Sequence, residues 1–366
     1  MNIAVIGIKG IPARYGGFET CVDETSKRLR NYGVNITVYC RKYLYEEYLP
    51  EYEGIKLKYI PSVKTKNLAT ISSTLFSVID IILSKTRIVH IYTAGNAIFI
   101  PILKLFGKKC VISVDALDWK RKKWGKFASY YIKTSEKIAV RFADSIISDS
   151  QVICEYYLKN YNRKIDYVAF GSNTNTGPAN DETIKKYSII PKKYFIFVGL
   201  FRPEKNVDML IKAFNQAKTK DFSLVLLGDD PLNLVYSNYI YSLKTDKIVF
   251  LGRKYGLEYE EISKNAYCYV TASEVEGTSP ALVAAMGFIT AVLVSSIPEN
   301  LETIGDSGFV FENNNIQSLI DQIEYLINNP DRVIEYASKA FERSRNKYSW
   351  DKIAMDFLNI YNRLLG

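Results

Sequence analysis

Three residues in the second half of the chain have types suited to holding a phosphorylated substrate. Gly199, Arg202 and Lys205 follow a β-rich run and precede a run with helical periodicity. Two cations at such a strand-to-helix turn would stabilise the charge that develops on a departing diphosphate more than the charge of the ground state. An ordinary surface turn with two basic residues is the alternative interpretation.

A second segment, residues 271–282, adds an acidic group and helix-start chemistry. Glu276 could accept hydrogen bonds from sugar hydroxyls, or it could serve only as an acidic partner of a helix N-terminus. Pro280 suits the first turn of a helix, so the residues just before it would present free amides and hydroxyls to a phosphate. Those residues are Gly277, Thr278 and Ser279.

Two loops in the first half add further candidates. Gly16 and Gly17 precede a helix-period run, whose N-terminal amides could face an anion. A turn that requires positive φ is the alternative. Asp115 directly follows the apolar run 111–114, at the strand end where open α/β sheets bind ligands. It could orient or deprotonate an acceptor hydroxyl. His90 is interpreted as a core histidine with satisfied hydrogen bonds.

The elements that would position these loops alternate between β-rich and helix-period runs, which predicts parallel sheets with right-handed crossovers. Predicted strands in the first half are 3–6, 36–40, 56–60, 88–92, 111–114, 145–148 and 167–170. Those in the second half are 194–198, 223–227, 248–251, 268–270 and 291–294. Predicted helices include 20–32, 135–142, 207–218, 280–286 and 349–364. The pattern restarts after residue 171, so two doubly wound domains are expected, with boundaries 1–172, 173–347 and a final helix 348–366.

Charge and composition limit the class of protein. The first 180 residues hold 27 Lys and Arg against 15 Asp and Glu, whereas the whole chain carries a net charge of +9. A basic half favours an anionic partner, and no nucleic-acid motif appears. The basic run 120–123, flanked by Trp119 and Trp124, could rest on an anionic membrane or be a solvated face. Five widely spaced cysteines, one histidine and no signal-peptide pattern predict a cytoplasmic protein without a metal site. Peripheral binding to the inner face of the cell membrane is the alternative that the basic first half leaves open.

The four loops, in this order, resemble those of retaining glycosyltransferases of family 4, and the resemblance covers nearly the whole chain. That family has the GT-B fold, which is α/β with two doubly wound, Rossmann-like parallel-sheet domains, an interdomain cleft and a C-terminal helix that crosses back to the N-terminal domain. The stretches 10–20, 117–121 and 298–300 are similar to a rhamnosyltransferase-like subgroup of bacteria and archaea.

The resemblance implies transfer of a hexose or deoxyhexose, with retention, from a nucleoside-diphosphate sugar to a saccharide or lipid-linked saccharide, as in polysaccharide biosynthesis. It implies no essential metal or other cofactor. It places Gly16 and Gly17 on the donor phosphate, Lys205 on the diphosphate, Glu276 near the donor sugar and Asp115 at the acceptor. The first domain would then be the acceptor side and the second would bind the nucleotide sugar.

Two positions depart from the family pattern. Leu200 stands where the family has an arginine, for which Arg202 would substitute, and Ala284 stands where the family has a second glutamate. These departures leave open a non-catalytic GT-B subunit that partners another transferase. A sugar-nucleotide epimerase or hydrolase on the same fold is the third alternative.

Overall fold

A computed structural model describes residues 1–13, 16–65, 68–114, 117, 119, 125–174, 177–180, 182–231 and 233–366. The described chain forms two compact units, Met1–Phe170 with Trp350–Gly366, and Gly171–Ser349. The units therefore change at residues 170/171 and 349/350, next to the predicted boundaries at 172/173 and 347/348.

The described residues form fourteen strands and fourteen α-helices. The strands are β1 Asn2–Ile6, β2 Asn35–Arg41, β3 Glu51–Tyr52, β4 Ile55–Ile60, β5 Ile88–Tyr92, β6 Lys109–Val114, β7 Ser145–Ser148, β8 Asp166–Tyr167, β9 Tyr194–Val198, β10 Ser223–Leu227, β11 Ile248–Gly252, β12 Cys268–Thr271, β13 Ala291–Ser295 and β14 Phe309–Phe311. The helices are α1 Gly17–Arg30, α2 Ala69–Ile82, α3 Ile100–Leu105, α4 Lys126–Phe142, α5 Gln151–Tyr161, α6 Glu182–Lys185, α7 Val207–Gln216, α8 Leu234–Ser242, α9 Gly256–Lys264, α10 Pro280–Gly287, α11 Pro298–Ile304, α12 Ile316–Asn328, α13 Pro330–Tyr348 and α14 Trp350–Leu365.

The first unit is built on an eight-stranded sheet in the order β3-β4-β2-β1-β5-β6-β7-β8. Seven of its strands are parallel, and only β3 runs antiparallel to its neighbour β4. Apolar residues of β1, β5, β6 and β7 pack with α2, α3, α4 and α5 in one core cluster. The helix α14 packs against α1.

The second unit has a wholly parallel six-stranded sheet in the order β11-β10-β9-β12-β13-β14. Every residue of β13 is buried, as is expected for a strand that helices cover on both faces. Because β9 lies between β10 and β12, the loops after these three strands leave the sheet side by side. This topology decides which side chains of the second unit can meet.

Several predicted elements differ from the structure at their ends, among them the helix 20–32, the strand 167–170 and the helix 135–142. The strand predicted at 167–170 stops at Tyr167, because its neighbour β7 ends at Ser148. The amide of Val168 bonds to the carbonyl of Ser148, so the residues after it have no residue of β7 to pair with. The helix predicted at 135–142 begins at Lys126. Its first turns carry the exposed residues Phe127 and Tyr130, which lie outside the buried stripe that the pattern revealed.

His90 is a buried core residue of β5, which confirms the interpretation of its role. Its Nδ1 lies 2.7 Å from the hydroxyl of Tyr361 on α14, and its Nε2 lies 2.8 Å from Oγ of Ser113 on β6. Burial lowers the pKa of the His90 imidazole from 6.5 to about 3. The neutral ring therefore links the final helix to the first sheet.

This burial predicts that acid weakens the fold before the carboxylates titrate. The unfolded chain takes up a proton at His90 below about pH 6.5, whereas the folded chain does not until about pH 3. Proton uptake at His90 therefore leaves the free energy of unfolding unchanged well above pH 6.5, and it lowers that free energy as the pH falls below 6.5. Between pH 7 and 5.5 we expect a loss of about 1 kcal/mol in the free energy of unfolding.

Urea unfolding at the two pH values measures this loss, with His90→Gln as the control that cannot titrate. Since His90 is the only histidine of the chain, the variant should show a smaller pH dependence. An equal pH dependence in both proteins would contradict the assignment.

Candidate functional site

An ion pair joins the loops that follow β9 and β12. The ammonium of Lys205 contacts the carboxylate of Glu276; the Glu276 side chain is mostly buried and that of Lys205 is partly exposed. A backbone hydrogen bond of 2.9 Å from the Glu274 amide to the Glu204 carbonyl joins the same two loops. Two residues that are 71 positions apart in sequence, each predicted to be catalytic, therefore meet at the carboxyl edge of the second sheet.

A network of hydrogen bonds between buried polar side chains orients Glu276. Ser273 donates a hydrogen bond of 2.8 Å to Oε1 of Glu276, the same oxygen that Lys205 contacts. The Ser295 hydroxyl donates to the Ser273 carbonyl at 2.6 Å, and the Asn300 amide donates to Ser295 Oγ at 3.0 Å. Ser273, Ser295 and Asn300 are each at most 1% exposed, so the network is fixed by its surroundings. It holds the Glu276 carboxylate in one orientation.

Glu299 is a candidate that the sequence analysis did not assign to the site. It lies in the first turn of α11, directly after β13, the strand next to β12. Burial raises the pKa of the Glu299 carboxyl, and the charge of Glu276 raises it further. A second carboxyl group therefore stands near Glu276, although Ala284 on α10 provides none. An acidic residue in the first turn of a helix that follows a strand was the signal that could have identified it.

Arg202 is held in place by an acidic partner that the sequence analysis also missed. Its Nε donates a hydrogen bond of 3.0 Å to Oδ2 of Asp230, which is buried in the loop after β10. Leu200, in the position of the family arginine, is half-buried. The structure thus brings Arg202 and Lys205 into one short turn, with Pro203–Lys205 forming a single 3-10 turn before α7.

Gly199 lies against the loop after β10 at very short range. Its amide donates to the carbonyl of Leu227 at 3.0 Å. A Cβ atom at Gly228, which has φ of +149°, would stand 1.8 Å from the carbonyl oxygen of Gly199. Only glycine fits at position 228, and this close approach fixes the start of the loop that carries Arg202 and Lys205.

The residues before α10 form the helix start that the sequence predicted. Pro280 is the first residue of the helix, and Ser279 precedes it in extended conformation. Thr278 and Ser279 are buried, whereas Gly277 is partly exposed. The chain thus places this helix N-terminus directly after Glu276. Phosphate contacts by Gly277, Thr278 and Ser279 stay a prediction.

Gly16 and Gly17 belong to the first unit, where carboxylates of α1 hold their loop. The amide of Lys9 donates to Oε1 of Glu19 at 2.9 Å, and the amide of Ala13 donates to Oδ2 of Asp23 at 2.8 Å. Gly16 has φ of +127°, and a Cβ there would overlap the Glu19 carboxylate. Gly16 therefore lies in a turn that requires positive φ, which was the alternative interpretation. The donor-phosphate contact of these glycines stays a prediction.

Asp115, the predicted acceptor-side residue, lies outside the described residues, as does the basic run 120–123. The strand before it, β6, ends at Val114 as the prediction requires. Within the described part of the chain, no group of three or more His, Cys, Asp or Glu side chains could hold a metal ion. No described helix has the length and apolar character needed to cross a bilayer.

Two family models match two separate parts of the chain. Residues 180–346 match the family model "Glycosyl transferases group 1", and residues 1–173 match a "Domain of unknown function (DUF1972)". An uncharacterized glycosyltransferase of Methanocaldococcus jannaschii is 26% identical over 364 residues, which are 95% of this chain and 95% of that protein. A capsular polysaccharide biosynthesis glycosyltransferase, CapM of Staphylococcus aureus, is 22% identical over 65% of this chain and 67% of its own length.

Solved structures resemble the whole chain. Sucrose-phosphate synthase from Thermosynechococcus elongatus has a TM-score of 0.84 at 18% identity, covering 100% of this chain and 99% of its own. Anabaena HepE in complex with UDP-glucose has a TM-score of 0.82 at 15% identity, covering 99% and 100%. The chain therefore has the two-domain, Rossmann-like GT-B fold. Residues 180–346 are similar to group 1 glycosyltransferases, and the relatives named above are glycosyltransferases.

Proposed function

We propose that this protein transfers a hexose or deoxyhexose from a nucleoside-diphosphate sugar to a saccharide or lipid-linked saccharide, with retention at the anomeric carbon. The observation that carries the proposal is the contact between Lys205 and Glu276. A diphosphate and the sugar bonded to it are adjacent groups, so residues that recognise them must be adjacent too. The group 1 match over residues 180–346 includes both residues.

The proposed roles follow from charge. Lys205 and Arg202 would hold the diphosphate, which gains negative charge as the glycosidic bond breaks. Asp230 and Glu276 keep these two cations in place before the donor arrives. Such preorganisation lowers the reorganisation needed in the transition state. Glu276, aligned by Ser273, would accept hydrogen bonds from sugar hydroxyls, while the amides before Pro280 would face a phosphate.

The donor class has further support from the structural neighbours. HepE of Anabaena has been solved with UDP and with UDP-glucose. The proposal of a rhamnose-like donor is supported only by the similarity of the stretches 10–20, 117–121 and 298–300 to the rhamnosyltransferase-like subgroup. We propose that Asp115 orients the acceptor hydroxyl and that the donor phosphate takes its proton, so that no metal takes part.

Incubation with a panel of nucleotide sugars tests the proposal. Product masses should show transfer of one hexose or deoxyhexose to an acceptor from a membrane extract, with and without a chelator. The anomeric configuration of the product, measured by NMR, should equal that of the donor. Inversion would contradict retention, and loss of turnover with the chelator would contradict a metal-free mechanism.

A non-catalytic GT-B subunit that supports another transferase is the second candidate. Ala284 removes one carboxylate that the family pattern provides, and Leu200 removes one cation. Absence of transfer, of donor hydrolysis and of donor binding by calorimetry would favour this candidate. Donor binding without transfer would support the proposed binding site but contradict the proposed transfer reaction.

A further inference from the structure

The outer surface of α3 and α4 exposes large apolar side chains. These two helices pack against each other in the first unit and cover the same face of its sheet. Leu105, Phe127 and Tyr130 are 84%, 86% and 74% exposed, and two further apolar residues are exposed beside them. We call this set the α3–α4 surface: Ile102, Leu105, Phe106, Phe127 and Tyr130. Contiguous exposed apolar groups of this kind mark interaction sites in soluble proteins.

The same surface is basic. Exposed cations on α4 recur at the spacing of one helical face: Lys126, Lys133, Lys137 and Arg141. Within the described helix α4, the one acidic side chain is Glu136, which is buried and accepts hydrogen bonds from Tyr156 and Tyr161. The exposed part of α4 therefore combines four cations with the aromatic rings of Phe127 and Tyr130 and carries no carboxylate.

The apolar character continues onto α2, which packs on the same face of the sheet beside the turn Ala94–Phe99. Its exposed apolar residues share one helical stripe: Leu75, Phe76, Ile79 and Leu83. The acid of this helix, Asp80, is neutralised by Lys58 at 2.6 Å and accepts a hydrogen bond from Tyr39. Asp144, which follows α4, is neutralised by Lys104 at 2.7 Å.

The positive charge of the α3–α4 surface determines which kind of partner can bind there. A second copy of this chain would bring one basic face against another, and like charges at an interface are unfavourable. An anionic bilayer offers phosphates to the lysines and an apolar interior to Phe127 and Leu105, and aromatic rings favour the level of the headgroups. We infer that the α3–α4 surface docks the protein on a bilayer of anionic lipids. This inference rests on described residues and not on the run 120–123, and it is independent of the proposed function.

Sedimentation with phospholipid vesicles tests the inference. The full chain should bind vesicles of equimolar phosphatidylglycerol and phosphatidylcholine at least roughly tenfold better than vesicles of phosphatidylcholine alone. Binding should weaken as salt rises. The double variant Phe127→Ser/Leu105→Ser and the double variant Lys133→Glu/Lys137→Glu should each lower binding by roughly tenfold or more.

Matched variants in the second unit control for exposure and charge. Val235 and Leu257 are 85% and 69% exposed, so Val235→Ser/Leu257→Ser removes similar apolar groups, and Lys218→Glu/Lys244→Glu makes the same charge change. Both controls should keep vesicle binding. Equal binding to both vesicle types, equal loss in the controls, or no binding at all would overturn the inference. An oligomer that dissociates on Phe127→Ser/Leu105→Ser, without vesicle binding, would identify a second copy as the occupant instead.

Discussion

Replacing Lys205 with alanine should lower the rate of sugar transfer by at least roughly a hundredfold while the protein stays folded. A group that stabilises developing charge in a preorganised site contributes on the order of a hundredfold to a thousandfold in rate. Lys205 is such a group, because its ammonium is already fixed on Glu276 at the end of a rigid turn. Donor binding should also weaken, since the diphosphate is charged before it leaves.

The fold should survive this change. Lys205 is partly exposed, and Glu276 keeps its hydrogen bond from Ser273 when the ammonium is removed. Initial rates with the donor found in the panel, together with thermal unfolding, measure both effects. Lys212→Ala is the matched control, because Lys212 forms a similar ion pair with Asp208 at 3.0 Å on the neighbouring helix α7. Unchanged turnover in Lys205→Ala, or an equal loss in Lys212→Ala, would remove Lys205 from the site.

Replacing Gly228 with alanine should have the second largest effect, on stability and turnover together. The new Cβ would stand 1.8 Å from the carbonyl oxygen of Gly199, so the backbone of one loop must move. The φ of +149° adds strain of about 1–3 kcal/mol for any residue with a side chain. Because the loop that moves carries Arg202 and Lys205, a displacement of about 1 Å would lower turnover roughly a hundredfold.

The variant Gly252→Ala separates the effect of positive φ from the effect of the steric overlap with Gly199. Gly252 also has positive φ, at +67°, yet a Cβ there would meet nothing within 4 Å. Its carbonyl accepts the Gly228 amide, so the two glycines lie at the same edge of the sheet. We expect Gly252→Ala to cost about 1 kcal/mol in the free energy of unfolding and to keep most turnover. Equal turnover in both variants would show that the Gly199–Gly228 contact does not position the site.

The strands of the second unit were largely predictable because they are continuous apolar runs. β9 and β10 have the predicted bounds, and Pro280 begins α10 as expected. The three-residue strand β14 was missed, since a run this short carries no periodicity. In the first unit, the sequence predicted the start of α4 too late. Phe127 and Tyr130 face outward, so they do not contribute to the buried stripe on which the prediction depended.

The candidate site was predictable by residue type but not by contact. Glycine, lysine and glutamate after strands pointed to Lys205 and Glu276, yet their ion pair depends on the strand order β10-β9-β12, which a single sequence does not specify. Ser273, Ser295 and Asn300 are polar residues without a pattern of their own. Their network forms only when β12 and β13 pair. Such long-range polar contacts are set by tertiary packing, so local sequence reasoning could not reach them.

Hydrogen exchange with a bound nucleoside diphosphate tests most directly whether the loops after β9 and β12 hold the donor. The diphosphate of the donor identified by the panel is added to the full chain, and exchange is followed along the backbone. We predict protection at residues 199–206 and 272–282, with loss of that protection in Lys205→Ala. Protection elsewhere in the chain, with none in these two segments, would contradict the proposed site.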